Sequence, residues 1–210
     1  MSNHESANDD ENIVDDGEAN TRISSLAAYH AARTKLDEAV QKITAVSGTA
    51  LSCQKGCAQC CVGGLEVLPV EVAALEIFLE EEGLASIPIF QEERCPFLDA
   101  EEGCSIYEAR PFVCRTQGLA LRMDDCEEEL VRFTVDDKKV AACALNFQER
   151  TPAADDILDL TTVQALLTLV NGQFCETFAL SPLERLPLAG VAQMVRHELI
   201  SQGILQEENP

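Results

Sequence analysis

Basic residues are scarce in this chain. Fifteen lysines and arginines stand against 37 aspartates and glutamates, which leaves a formal charge of -22 and a pI near 4.3. A nucleic-acid backbone is held through a basic face, so no nucleic-acid partner is expected, and an anionic membrane surface would repel the same surplus of acid. Long apolar runs are missing too: nothing reaches the ~18 to 20 consecutive apolar residues of a membrane-spanning helix. The opening MSNHESANDDENIVDDGEAN has neither the basic start nor the apolar segment of a secretory signal, so the expected location is cytoplasmic. There is no internal repeat, Ser/His/Asp arrangement, phosphate-binding loop or carboxylate pair that would specify an enzyme reaction. No βαβ alternation announces a parallel sheet. The histidines, His4, His30 and His197, are scattered, which disfavours a Cys/His zinc finger or a Rieske centre.

Cysteine, by contrast, is abundant, with ten residues of which four fall within nine positions: Cys53, Cys57, Cys60 and Cys61. In a reducing compartment such density points to metal binding or redox chemistry before a disulfide framework. The C-x3-C-x2-C spacing places thiolates on a tight turn, and four of them around one zinc would stand about 3.8 Å apart. Side chains of neighbours in an extended backbone point to opposite sides, so the adjacent Cys60 and Cys61 suggest that one of them serves a second centre. Later in the chain come Cys95, Cys104 and Cys114, then Cys126 and Cys143. With one of the last two chosen, eight thiolates would satisfy two four-cysteine centres, or one cluster and one zinc. Cys175, in an apolar helix, reads as a core thiol. All-cysteine ligation suits iron-sulfur or zinc, and the Cys95-Pro96 step tilts the choice toward iron-sulfur, of the four-iron type. Arg110 and Arg115 bracket Cys114 and are candidates to donate N-H groups to bound sulfur, or else to pair with nearby acids; Lys55 and Tyr107 are weaker candidates for the first role.

The rest of the chain reads as scaffold. Residues 1–20 are acidic and poor in large apolar side chains, the pattern of a disordered tail; residues 21–205 are expected to form one domain. Leu26, Tyr29, Leu36, Val40 and Ile43 mark an amphipathic helix over 22–47, interrupted by Arg33 and stopped by Gly48. Pro69 opens a second helix that buries Val72, Leu75, Phe78 and Leu79 and ends near Gly83, with Glu71 in its first turn. Residues 84–118 show little regular pattern and need bound metal to hold them. Short strands are expected at 119–121, 130–135 and 140–145, the last two joined by a turn at Asp136 to Lys139, with Cys143 on the second strand. Helices follow, one burying Val163, Leu166, Leu167 and Val170, the other opening at Pro187, burying Val191, Val195 and Leu199 and ending near Gly203. The expected class is α+β and predominantly helical, with an irregular metal-held centre and a small antiparallel hairpin packed by flanking helices.

Cys53 to Cys61, Cys95-Pro96-Phe97-Leu98 and Cys104-Ser105-Ile106-Tyr107-Glu108-Ala109-Arg110-Pro111 running on to Cys114-Arg115 resemble the CxxCxxCC cysteine-cluster family, also called YkgJ-like, over residues 50–147. Cys143-Ala144-Leu145-Asn146-Phe147 is similar to the closing Cys-Pro-Leu-Asn-Phe of some members, with Ala144 in place of proline. On that resemblance Cys143 is taken as the eighth ligand ahead of Cys126. The family implies a zinc- or iron-chelating domain; relatives of a flagellin lysine methylase among its members imply that an enzymatic role is open. Cys53, Cys57 and Cys60 also match the spacing of radical-SAM enzymes, but the βα repeats of that barrel are missing and Gln59 replaces the usual aromatic. The leading expectation is an iron-sulfur protein in electron transfer or an accessory redox role with a protein partner. The alternatives are a zinc-stapled interaction domain and a protein lysine methylase-like enzyme.

Overall fold

The computed structural model describes residues 16–82, 93–123 and 127–201. Its elements in chain order are helices α1 (Asp16–Ser25) and α2 (Ala27–Ser47), strand β1 (Glu66–Val67), helices α3 (Pro69–Glu82) and α4 (Phe112–Thr116), strands β2 (Ala120–Arg122), β3 (Val131–Val135), β4 (Lys138–Ala141) and β5 (Ile157–Asp159), helix α5 (Leu160–Phe178), strand β6 (Leu186–Pro187) and helix α6 (Leu188–Ser201). The fold is α+β and mostly helical, as expected.

α2 forms where the apolar stripe foretold it. Leu26, Tyr29, Leu36 and Ile43 are buried, Val40 packs at the margin, and Gly48 closes the helix at φ +53°, donating its N-H to Thr44 O. That left-handed backbone costs glycine little and other residues more. The single helix expected over 22–47 is two, α1 and α2, separated at Leu26, and the helical chain begins earlier than the stripe suggested, at Asp16. Residues 16–20, expected in the disordered tail, are thus helical; the remainder of that tail lies outside the described residues. So do Gly83, Gly203 and Cys126.

α3 holds the two main cores together. Val70, Ala73 and Ala74 join α2, α5 and Phe112 in one apolar cluster. On its other side Val72, Leu75 and Leu79 join Val191, Val195 and Leu199 of α6 and the loop residues Phe97 and Ile106 in a second. A helix with apolar residues on every side is a buried helix, and α3 is one. Phe78, expected in its buried face, is only partly covered.

The strands form a four-stranded sheet in the order β3-β4-β2-β5 and a separate antiparallel pair, β1 with β6. β3 and β4 make the expected hairpin, but its turn is shorter than expected. Asp136 and Asp137 alone turn the chain, at φ +50° and +60°, and Lys138 and Lys139 are already in β4. Both residues at positive φ are the mark of a tight two-residue hairpin turn. β2 and β5 pair in parallel, Ala120 with Ile157 and Leu121 with Leu158, a pairing that no βαβ pattern announced. Its connection runs through β3, β4 and the loop to β5 instead of through one crossover helix. Pro187 belongs to β6 and α6 starts one residue later.

Candidate metal centre

Four stretches of irregular chain meet beside the second core. In the first, the turn after Cys53 is closed by Cys57 N donating to Gln54 O (2.9 Å) and Cys61 N to Ala58 O (3.0 Å), while Gly56 sits at φ +88°. The turn makes the Cys60 and Cys61 thiols near neighbours. The backbone at Cys60 is a turn and not the extended chain from which opposed side chains were expected.

The second stretch docks on the first. Cys95 N donates to Cys61 O (3.1 Å) and Gly63 N to Glu93 O (3.3 Å), with Val62 and Arg94 paired antiparallel between them. A short loop then brings Cys104 back to Cys95: Leu98 pairs with Cys104, Ser105 N bonds Phe97 O, and Asp99 Oδ1 accepts N-H groups of Glu101 and Gly103. Phe97 and Ile106, both fully buried, anchor the two arms.

Cys114 arrives on α4. Pro111 precedes the helix, and the first N-H, that of Phe112, donates to Glu71 Oε1 (2.8 Å). Glu71 Oε2 accepts from Leu68 N (3.0 Å), so a carboxylate buried in α3 ties the starts of two helices. Glu71 does more than favour the positive end of its own helix. Burial raises its pKa against the two N-H bonds that lower it.

The fourth stretch follows β4. Cys143 lies two residues past that strand, not on it, in a turn closed by Asn146 N donating to Cys143 O (3.1 Å). The Arg132 guanidinium donates to the carbonyls of both Cys143 and Asn146. Asn146 is fully buried. Its Oδ1 accepts from Ser52 N (2.7 Å), and its Nδ2 reaches Gly118 O (2.5 Å) and Cys53 Sγ (3.3 Å). Sequence reasoning assigned Asn146 no role, although it stood in the closing Cys143-to-Phe147 motif.

Cys53, Cys57, Cys60, Cys61, Cys95, Cys104 and Cys114 all line one cavity of about 510 Å³; Cys143 stands outside its lining, next to Cys53. Among the described residues, no three His, Cys, Asp or Glu side chains are drawn close enough to hold a single ion as they stand. Burial pushes the Cys114 thiol up to about 12, helped by the neighbouring Cys95 and Cys104, and raises Cys53, Cys95 and Cys104 as well. The neighbouring Cys61 and then burial raise Cys60, whereas the neighbouring Cys60 lowers Cys61.

The two arginines separate. Arg110 lines the cavity with its guanidinium stacked 3.7 Å from the Tyr107 ring centroid, and its charge acts on Cys60, Cys104 and Cys114. Arg115 is buried and spends its donors elsewhere: on Asp37 (2.5 Å) and on the carbonyls of Glu108 (2.5 Å) and Arg110 (2.6 Å). Those bonds brace the loop before α4 against α2. Lys55 and Tyr107 also line the cavity, while His30 is exposed on α2. Cys175 is buried in α5, its sulfur 3.7 Å from Asn171 Oδ1, and belongs to the first core.

Residues 52–149 match the family model CxxCxxCC, described as "Putative zinc- or iron-chelating domain". Over these residues, a little under half of its length, the chain is similar to that family. The match takes in all four cysteine-bearing stretches and Asn146, and leaves α1, α2, α5 and α6 outside. In this chain the first interval holds three residues and not two, and Gly56 at positive φ turns within it. No curated protein and no solved structure matches the chain. The donor set fits what the family chelates, since soft thiolates gathered without imidazole suit zinc or iron-sulfur and not calcium or magnesium.

Proposed function

We propose that the chain is an iron-sulfur protein of a reducing compartment, which holds four-iron clusters through Cys53, Cys57, Cys60, Cys61, Cys95, Cys104, Cys114 and Cys143 and passes electrons to a protein partner. The observation that carries this reading is the cavity of about 510 Å³ ringed by seven thiols. Each thiolate of a cluster binds a different iron, so its ligands stand farther apart than the four around one zinc. A cluster bound there supplies one-electron chemistry. The chain supplies the setting. Arg110 places positive charge beside the thiols, and the Asn146 amide donates to Cys53 sulfur, both of which favour the reduced state of a bound group. Exposed Cys53 and Tyr107 leave the site open on one side for a partner.

The test is iron and acid-labile sulfide on protein purified without oxygen, with a visible spectrum and a reductive titration. Iron matched by sulfide, with a spectrum that bleaches on reduction, is the expected result; stoichiometric zinc in a colourless protein refutes it.

A zinc-stapled interaction domain is the second reading, and one observation favours it. The segments from Leu51 to Leu65 and from Glu93 to Pro111 contain no helix or strand longer than an isolated bridge. Chain of that kind is ordered by metal in many small domains. Redox silence together with unfolding by chelator separates this reading from the first. Binding of S-adenosylmethionine by the metal-loaded protein is the measurement that would bring a methylase-like activity forward.

A further inference from the structure

We infer that the eight cysteines form two four-cysteine centres that meet at Cys60 and Cys61. Cys61, Cys95, Cys104 and Cys114 make an inner centre, and Cys53, Cys57, Cys60 and Cys143 make an outer one. The inference rests on the reading above for the kind of cofactor, while the partition stands on geometry of its own.

Stoichiometry requires a division. A four-iron cluster and a tetrahedral zinc each take four thiolates, so eight thiols in one neighbourhood leave four over. The hydrogen bonds say where the division falls. Cys61 is joined to Cys95 through its carbonyl, Cys95 to Cys104 through the Leu98 pairing, and Cys95, Cys104 and Cys114 pack together against the second core. Nothing in that arrangement includes Cys53 or Cys143. Those two are 90 residues apart in the chain, yet Asn146 holds both, its Nδ2 on Cys53 Sγ and its backbone N-H on Cys143 O. Cys57 and Cys60 follow Cys53 on the same turn. The adjacent pair is where the sets touch, which puts the two centres within close range for electron exchange.

The sets also differ in surroundings. Three inner cysteines are bedded in apolar core, while Cys53 is exposed, so the outer centre faces solvent and is the first to be lost. Structural centres are enclosed and accessible ones exchange, which makes the outer centre the one a partner or a chelator reaches.

Metal and sulfide would be measured on the full chain and on Cys53→Ala, Cys143→Ala, the double variant of these two, Cys114→Ala and Cys143→Ala/Cys114→Ala, each checked for folding by circular dichroism. Each outer variant is expected to keep half of the unsubstituted protein's metal, and the outer double variant to lose no more than either single one. Cys114→Ala should lose the other half, and the mixed double variant nearly all of it. The partition is overturned if a folded outer variant loses all its metal or none, or if the unsubstituted protein carries metal for a single four-thiolate centre. Should Cys114→Ala fail to fold, the outer variants decide alone. Zinc lost by halves along these lines would keep the partition and refute the iron-sulfur reading. Iron and sulfide for one cluster would do the reverse.

Discussion

Gly118 offers the sharpest test of how the outer cysteines are placed. Its φ is +86°, and a Cβ at this position would fall 2.5 Å from Cys53 Sγ and 3.5 Å from Asn146 Nδ2. Gly56, in the cysteine turn itself, has nearly the same φ of +88° but nothing within 4 Å of where its Cβ would be. Alanine at Gly56 therefore reports backbone strain alone, about 1–2 kcal/mol for an L-residue at positive φ. Alanine at Gly118 adds the cost of overpacking, typically about 1–3 kcal/mol. It must also move the sulfur, or the amide that holds it.

At about 2–4 °C per kcal/mol for a chain of this size, Gly118→Ala should melt roughly 2–12 °C below Gly56→Ala. Anaerobic thermal unfolding with metal analysis on the same samples reads both effects. Gly118→Ala is expected to lose outer-centre metal because Cys53 is displaced, whereas Gly56→Ala keeps most of it. If the two variants melt together and carry equal metal, the close approach of Gly118 to Cys53 does not exist in the folded protein and the outer centre is built otherwise.

Cys57→Ser should lower metal content and melting temperature far more than Cys175→Ser, because only the first removes a ligand; similar loss in both, measured by elemental analysis and melting, counts against the site. Arg115→Met should destabilise by about 1–3 kcal/mol by leaving the part-buried carbonyls of Glu108 and Arg110 without their donor, with the metal spectrum unchanged. Arg110→Met should do the opposite, shifting the reduction potential of the bound group with little loss of stability, so equal behaviour of the two in denaturation and redox titration refutes their separation. Arg150 first, then Ser47 and the Ala153 N-H, hold the buried Asp156 carboxyl well below its ordinary 3.8. Its contribution is therefore present above pH 3.8 and fades as pH falls toward the depressed value. Asp156→Asn should cost about 1.5–3 kcal/mol near neutrality, and the gap to the unsubstituted protein should narrow only below that pH in denaturant titrations. Removal of metal by chelator should speed amide exchange in 51–65, 93–116 and α6 while α2 and α5 stay protected; uniform loss of protection would mean that both cores depend on the metal.

What was legible in the sequence was what local pattern controls. The stripe from Leu26 to Ile43, the Pro69 start of α3, the β3-β4 hairpin and the Val191, Val195, Leu199 face of α6 all depend on neighbours a few residues away. The features that escaped depend on chain segments far apart. β1 and β6 are two residues each, too short to show alternation, and pair across more than a hundred residues. The parallel β2-β5 pair is set by where the β3-β4 hairpin lies, which no stretch of β2 or β5 encodes. Arg115 sat beside a cysteine in sequence, but a helix turns successive side chains about 100° apart, and it faces α2 and not the cavity. Asn146 joins three chain segments through one side chain and Glu71 joins two, and composition carries no trace of such a junction.

The same division explains how the cysteine region and its scaffold share the work of folding. The first core, built on α2, α5 and one side of α3, contains none of the eight candidate ligands and is closed by apolar contacts alone. The second core, on the other side of α3, is completed by Cys95, Cys104 and Cys114 and by a loop with few backbone bonds. On the proposed reading, metal bound by the thiols at the edge of the second core would add free energy to that core and not to the first. Glu71 couples the two, because a carboxylate inside α3 fixes the N-terminus of α4 and with it Cys114. On the proposed partition, metal at the inner centre would tighten the helix that both cores share, and the outer centre, tied through Asn146 to Gly118, would exchange without loosening either.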